Sequence, residues 1–196
     1  MIKILATDGL DKSAIVALTE KGCQVDTDFY EPEALKEAVK DYDVVIVRSA
    51  TKVRAMHIDA AKESGRLKLI IRAGVGVDNI DVSYAEEQGI CVRNTPNASS
   101  DAVAELALAH MFTVARFLSV AGHTMREGKW EKNAYKGIEL AGKTVGIVGY
   151  GRIGRALGRR CQALGMNVLA MANHWVPERE CATMKYVHEN KLLANA

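Results

Sequence analysis

A glycine-rich turn in the second half of the sequence carries the clearest chemical signal. The motif G-Y-G-R-I-G, residues 149–154, directly follows an apolar stretch, Thr144 to Val148. Between a strand and a helix, its three glycines permit a tight turn, close approach of a pyrophosphate, and packing of the helix on the strand. The motif predicts a dinucleotide-binding site, and the alternative is that the glycines only shape a turn. The expected cofactor-binding residues here are Gly149, Gly151, Arg152, Ile153 and Gly154.

The acidic residue that usually accompanies this motif is missing. An acidic residue about twenty positions further on normally binds the adenosine ribose hydroxyls. Ala172 stands at that place, and the nearest acids, Glu178 and Glu180, lie further along. Losing one charge-assisted hydrogen bond costs roughly 1.5 to 3 kcal/mol, so NAD would bind about tenfold to a hundredfold more weakly. An NADP pocket that uses His174 or Arg179 is the alternative.

The residues before the motif predict the elements of a parallel α/β fold. Short β-branched runs alternate with amphipathic stretches, which is typical of a βα repeat. The apolar runs Val44 to Val47 and Leu69 to Ile71 indicate strands buried on both faces, as in a parallel sheet covered by helices. Asp11 and Asp81 are expected to cap helices, and Pro32 is expected to begin one.

The pattern changes after about residue 97. A single apolar helix is expected from about Ser100 to Arg126, enclosed between two bodies of protein and connecting two domains. Strand, glycine turn, helix and strand follow, and then a short strand at Lys185 to Val187 and a helix at Glu189 to Ala194. This is one half of a doubly wound domain, and its third strand is expected to present an uncovered edge.

Composition argues against several classes of partner. The 196 residues carry a formal charge of +2 without a long block of like charge, so no nucleic-acid or membrane partner is expected. The four cysteines form no CxxC pair, which favours reduced thiols and argues against a metal site. The start, MIKILATDGL, lacks the features of a signal peptide. We therefore expect a cytoplasmic protein.

Four motifs, in order along the chain, resemble the D-2-hydroxyacid dehydrogenase family. They are RAGVGVDNID from Arg72, NTPNASSDAVAELALA from Asn94, MREGKW from Met125 and ELAGKTVGIVGYGRIGRALG from Glu139. Within the family, the chain looks most like the amino-terminal part of the phosphoglycerate dehydrogenases. The reason is that VRSATKV from Val47 is similar to their loop that meets the phosphorylated substrate.

The resemblance implies a domain organisation and a substrate site. It implies a flavodoxin-like substrate domain over residues 1–97, a connecting helix over 98–126, and an incomplete Rossmann-type dinucleotide-binding domain over 127–196. In the family, the loop matching 73–77 offers backbone amides to the substrate carboxylate, and Val75 takes a cofactor-contacting position. The alternative for the loop 73–77 is a tight strand-to-helix turn, and the alternative for Arg48 is a surface arginine without a ligand. The implied substrate-binding residues are Arg48, Ser49, Gly74, Val75 and Gly76.

The implied function is NAD-dependent oxidation or reduction of a D-2-hydroxy acid, with 3-phosphoglycerate, a precursor in serine biosynthesis, as the favoured substrate. The family's catalytic histidine, the glutamate that orients it and a substrate-binding arginine all match positions beyond Ala196. No catalytic residue is therefore assigned, and we expect this chain alone to be an inactive fragment. A homodimer through residues 100–140 is also implied. The alternatives are a non-catalytic nucleotide-binding or subunit-pairing module, or a structural protein without a ligand.

Overall fold

Strands and helices alternate along the chain in the computed structural model, which describes residues 1–173 and 183–195. The chain divides into two units, Met1–Ala98 and Ser99–Ala196. In the first unit the strands are β1 (Ile2–Ala6), β2 (Cys23–Asp26), β3 (Val44–Val47), β4 (Leu69–Arg72) and β5 (Cys91–Asn94). Its helices are α1 (Lys12–Glu20), α2 (Pro32–Ala38, extended by a 3-10 turn), α3 (Ala55–Ser64) and α4 (Val82–Glu87).

The first unit is built around a parallel five-stranded sheet. Its strand order is β2-β1-β3-β4-β5, the order of flavodoxin-like folds. Successive residues of β1 point to opposite faces: Leu5 joins one buried apolar cluster, whereas Ile4 and Ala6 join another. The sheet is therefore covered on both faces, as the continuous apolar strands predict.

Of the two aspartates predicted to cap helices, one does so and the other does not. Asp11 does cap α1, since its carboxylate accepts a hydrogen bond from the backbone N–H of Ser13 at 2.9 Å. The prediction for Asp81 is wrong, because its side chain does not cap α4. Its oxygens instead accept from the Arg54 guanidinium at 2.8 Å and from the backbone N–H of Ala55 at 3.0 Å. The carboxylate therefore satisfies the first turn of α3.

The second unit contains a smaller parallel sheet. Its elements are α5 (Ser100–Arg116), α6 (Leu118–Arg126), β6 (Thr144–Val148), α7 (Arg152–Ala163), β7 (Asn167–Met171), β8 (Met184–Tyr186) and α8 (Glu189–Asn195). The described strands lie in the order β6-β7-β8. Among the described strands, β8 therefore lies at one edge of the sheet and β6 at the other. Helix α8 turns back to contact both β6 and β7.

The expected single connecting helix is wrong, because the structure has two helices that bend by 66° at Phe117. Phe117 has φ of 56°, in the left-handed region. The carbonyl of Ala115, which a continuous helix would pair with a later turn, accepts from the backbone N–H of Ile138 at 2.9 Å. The expected enclosure between two bodies of protein stays a prediction, and Leu106 and Val114 of α5 are 59% and 78% exposed.

Within the described residues, no single helix has the length and apolar character needed to span a membrane. The bent pair α5 and α6 meets that test only when the two helices are taken together, on length and composition alone.

Asp43, just before β3, provides a pH test of the first unit. Its carboxylate accepts from the backbone N–H of Lys3 at 2.7 Å and from Arg66, and these bonds lower its pKa. A lowered folded-state pKa gives stability above the unfolded-state value, about 3.9, that is lost as pH falls further. Urea unfolding of Asp43→Asn should therefore show a loss of stability at pH 7 that shrinks below about pH 4.

Asp41→Asn is the matched control, because that neighbouring carboxylate is exposed. The free energy of unfolding of Asp41→Asn should differ little from that of the wild type at every pH. A deficit for Asp43→Asn that stays constant from pH 7 to the acid limit would contradict the assigned role.

Candidate functional site

The glycine turn after β6 has three different local environments. Gly149 has φ of 91°, which L side chains rarely adopt, and its N–H donates to the carbonyl of Met171 at 2.9 Å. A Cβ at Gly151 would meet no atom within 4 Å, so this backbone borders open space. A Cβ at Gly154 would overlap the carbonyl oxygen of Gly149 and lie 3.2 Å from the Ile147 side chain. These are the environments that a pyrophosphate-binding turn requires.

Helix α7 points its amino terminus into this turn. Gly151 is the N-cap and has no side chain to cap the helix, and the first turn carries no acidic residue. The first amides of an α-helix lack partners within the helix, and the helix dipole favours negative charge there. The start of α7 at Arg152 and Ile153 therefore has the geometry at which helices commonly bind anions, and it lies next to the open side of Gly151.

Position 172, at the end of β7, is an alanine, where an acid would normally bind the ribose. Ala172 is half-buried and packs against the apolar core of the second unit, and Asn173 beside it is exposed. His174 and Arg179, the residues suggested for an NADP pocket, lie outside the described residues. Among the described residues, Ala172 thus supplies only apolar contact at this position.

The expected substrate residues lie in the first unit, at the carboxyl ends of β3 and β4. Arg48 and Ser49 directly follow β3, and the loop 73–77 follows β4. The Arg72 guanidinium donates to the Ser49 hydroxyl at 3.1 Å, which links the two loops. Neighbouring parallel strands end at the same edge of a sheet, where open α/β folds bind ligands. The structure therefore brings Arg48, Ser49 and the glycine loop to one edge.

Arg72 is a residue of this edge that the motif analysis did not assign. Its guanidinium lies where a Cβ of Gly74 would be, so the absence of a side chain at Gly74 makes room for it. The buried Arg72 Nε has no hydrogen-bond partner among the described residues. Only its position as the last residue of a strand, immediately before the glycine loop, could have suggested this role.

The glycine loop after β4 is held by its carbonyl groups. The carbonyl of Gly74 accepts from the backbone N–H of Thr95 at 3.0 Å, and that of Val75 accepts from the Asn94 side chain at 2.6 Å. Among the described residues, the amides of Val75 and Gly76 donate to no protein acceptor. A carboxylate that accepts these two amides would satisfy them, which suits the expected role of the loop.

Two further side chains fix the loop that carries Arg48. The carboxylate of Asp8 accepts from the backbone N–H groups of Arg48, at 2.6 Å, and Thr51, at 3.1 Å. The amide of buried Asn79 donates to the carbonyls of the same two residues at 2.8 and 2.7 Å. Asp8 and Asn79 were not singled out from the sequence, although Asn79 lies within the motif RAGVGVDNID. They hold the loop in one conformation.

Two of the described histidines contact the backbone or a neighbouring side chain. His57 is buried, its Nδ1 accepts from the backbone N–H of Arg54, and its Nε2 lies 3.0 Å from the carbonyl of Pro32. Both ring nitrogens therefore contact backbone, which makes this histidine structural. His123 lies 3.3 Å from Glu127 on α6. In residues 1–173 and 183–195, no cluster of three metal-ligating side chains is present.

Comparison with known proteins places the chain in a family. Residues 4–190 match the catalytic domain of the D-isomer specific 2-hydroxyacid dehydrogenases. The chain belongs to this family. It is 45% identical over 185 residues to a D-3-phosphoglycerate dehydrogenase of Methanocaldococcus jannaschii, covering 94% of this chain and 34% of that protein. It is 46% identical over 169 residues to a hydroxypyruvate reductase of Thermotoga maritima, covering 86% of this chain and 54% of that protein.

A solved structure supports the fold along the whole chain. The TT0316 protein of Thermus thermophilus matches with a TM-score of 0.88 and 32% identity, covering 100% of this chain and 62% of that one. The α/β architecture predicted from the sequence is confirmed. The chain spans between about a third and two thirds of the length of these relatives, so the activity of a whole relative is not transferred directly.

A matched pair of substitutions tests the roles of the glycines. Gly154→Ala places a methyl group against the Gly149 carbonyl and should destabilise the second unit by about 1 to 3 kcal/mol. Gly151→Ala points into open space and should cost less, about 0.5 to 1 kcal/mol, because alanine is a poorer N-cap than glycine. Chemical unfolding followed by circular dichroism measures both. Equal losses for the two variants would show that this packing constraint is wrong.

Proposed function

We propose that this chain supplies the coenzyme-phosphate site and the substrate-anion site of an NAD-dependent D-2-hydroxyacid dehydrogenase that acts on 3-phosphoglycerate. The observation that carries the proposal is the turn at residues 149–154, with its open approach at Gly151 and close packing at Gly154. Membership of the family supports the reaction class. The residues proposed to bind the cofactor are Val75, Gly149, Gly151, Arg152, Ile153 and Gly154, and those for the substrate are Arg48, Ser49, Gly74, Val75 and Gly76.

The residues of the chain would bind and orient the reactants. The amides at the start of α7 would hold the pyrophosphate, and the Val75 and Gly76 amides would hold the substrate carboxylate. When bound, NAD supplies the hydride acceptor for the oxidation. Asp8 and Asn79 would act as positioning residues, because they fix the backbone on either side of Ser49.

The choice of 3-phosphoglycerate as the proposed substrate rests on the positive charge of two arginines. The identities to a phosphoglycerate dehydrogenase and a hydroxypyruvate reductase are nearly equal, so they do not choose between the two substrates. Arg48 and Arg72 bring two permanent positive charges to the edge that also holds the glycine loop. A phosphate dianion in addition to a carboxylate matches two guanidinium groups better than a carboxylate alone.

The isolated chain is proposed to bind these ligands without turning them over. Interconversion of a hydroxyl and a carbonyl needs a group that carries a proton at the reacting oxygen. His57 is occupied by backbone contacts, so it does not supply this group. The chain would therefore contribute binding and orientation of the ligands.

A subunit-pairing module is the second candidate. Exposed apolar side chains on α5 and α6 favour it, including Leu106, Val114 and Val120. Exposed apolar side chains that cluster into one patch are a common feature of protein interfaces. In this alternative, residues 100–140 pair two copies of the chain and the glycine turn only shapes the backbone.

Cofactor binding is tested by restoring the missing acid. Calorimetric titration of the chain with NAD should give weak binding, and Ala172→Asp should strengthen it by about tenfold to a hundredfold through hydrogen bonds to the ribose. Ala172→Asn is the control of equal size without the charge. The same titrations with NADP test the alternative cofactor. Tighter binding of NADP than of NAD by the wild type, or no binding of either, would contradict the proposal.

Substrate binding is tested in the same way. The chain should bind 3-phosphoglycerate at least about tenfold more tightly than D-glycerate, since an added charged pair contributes about 1.5 kcal/mol or more. Arg72→Met should remove most of this preference, whereas Arg93→Met, at an exposed arginine of β5, should not. A normal rate of NAD reduction by the isolated chain would show that the proposed division of roles is wrong.

A further inference from the structure

A small pocket lies at the carboxyl ends of the strands in the first unit, and residues 73–77 do not line it. It has a volume of about 270 Å³. One wall, residues 29–32, follows β2, and the other wall, residues 50–52, follows β3. These two strands flank β1, so the pocket lies where the strand order reverses. Open α/β sheets commonly bind ligands at this position.

The lining of the pocket is mainly apolar and partly aromatic. Leu35, which is 1% exposed, belongs to the main apolar cluster of this unit, and Tyr30 packs against that cluster. Phe29 is 57% exposed although it lines the pocket. An exposed aromatic ring gains contact area when a ligand with an apolar body fills the space beside it. The pocket therefore suits a ligand that has an apolar part.

Two charged side chains of opposite sign line the same pocket. Glu31 belongs to the wall after β2, and Lys52 belongs to the wall after β3. Both are exposed, and neither makes an ion pair or a side-chain hydrogen bond within residues 1–173 and 183–195. A ligand with one positive and one negative group can pair with both, whereas a ligand with a single charge leaves one of them without a partner.

The walls of the pocket are held in place without a ligand. The Nε2 of His57 lies 3.0 Å from the carbonyl of Pro32, at the start of α2. The carboxylate of Asp8 accepts from the backbone N–H of Thr51 at 3.1 Å and from its hydroxyl at 2.5 Å, and Asn79 donates to the Thr51 carbonyl at 2.7 Å. Binding to a surface that is already ordered costs less conformational entropy. A small ligand can therefore bind here without rearranging either wall.

We propose that this pocket binds a free α-amino acid with an aliphatic side chain. Its ammonium group pairs with Glu31, its carboxylate pairs with Lys52, and its side chain lies against Phe29 and Leu35. The size agrees, because drug-sized ligands need about 300 Å³ or more and a dry cavity of about 150 Å³ holds benzene. A pocket of about 270 Å³ accommodates roughly ten non-hydrogen atoms, the size of leucine. This site adds to the proposed coenzyme and substrate sites and does not depend on them.

The ligand class is tested by titrating the chain with three molecules of similar shape. L-Leucine carries both charges, 4-methylpentanoate lacks the ammonium group, and 3-methylbutylamine lacks the carboxylate. L-Leucine should bind at least about threefold more tightly than either analogue, because an ion pair at an exposed position contributes a factor of this size. Binding is measured from amide chemical shifts, which should change at Tyr30, Ala50 and Lys52.

Charge variants assign each ion pair to one group of the ligand. Glu31→Gln should weaken L-leucine binding by about threefold and leave 4-methylpentanoate unchanged, whereas Lys52→Met should weaken L-leucine equally and leave 3-methylbutylamine unchanged. Glu33→Gln and Lys12→Met, at exposed charges outside the pocket, are the matched controls and should have no effect. Ala50→Leu fills the pocket from its exposed wall and should weaken all three ligands. All five variants should keep the circular dichroism spectrum of the wild type.

The other outcomes contradict the proposal. No saturable binding of L-leucine, equal affinity for the three molecules, or an equal effect of Glu31→Gln on all of them would overturn it. Displacement of L-leucine by 3-phosphoglycerate, with shifts at residues 73–77, would assign the leucine carboxylate to the substrate edge and overturn it as well. NAD and turnover play no part in these titrations, so their result is independent of the proposed enzymatic activity.

Discussion

The contact of α7 with β6 at a position without a side chain determines the geometry of the second unit. Because the carbonyl of Gly149 lies where a Cβ of Gly154 would be, the helix can begin immediately after the strand. This places the first amides of α7 beside the open approach at Gly151. Arg160, further along α7, lies 3.1 Å from Asp101 and 3.0 Å from Glu105 on α5. The same contact therefore positions both the glycine turn and the face of α7 on which α5 packs.

The first unit presents backbone amides by a different physical means. No long helix begins at the loop 73–77. The carbonyls of Gly74 and Val75 instead accept hydrogen bonds from Thr95 and Asn94, at the end of β5. The opposite face of the loop is left open. The neighbouring loop is held by side chains, because Asp8 and Asn79 together occupy two donors and two acceptors of its backbone. Polar groups that are paired in this way, with Asn79 buried, favour one conformation of the loop. An arginine-bearing loop can thus be ordered before a ligand binds.

The features that were predictable from the sequence depend on local patterns. Alternating apolar runs indicated the strands, and the glycine spacing indicated the turn, because both reflect constraints within a few residues. Asp81 was misassigned because its carboxylate pairs with Arg54 and Ala55, which are distant in sequence. The break at Phe117 was missed for the same reason, since Ile138 takes the carbonyl that a continuous helix would use. The open edge of β6 required the strand order, which no local pattern contains.

The alanine at the tip of β7 affects where the affinity for a dinucleotide would come from. Without a carboxylate at position 172, more of that affinity would have to come from the pyrophosphate. In the described residues, the contacts available to a pyrophosphate lie at the open approach beside Gly151 and at the start of α7, where backbone N–H groups and the helix dipole favour negative charge. A dinucleotide bound at this turn would therefore depend on backbone geometry more than on a charged side chain, which makes the packing at Gly154 a determinant of affinity as well as of stability.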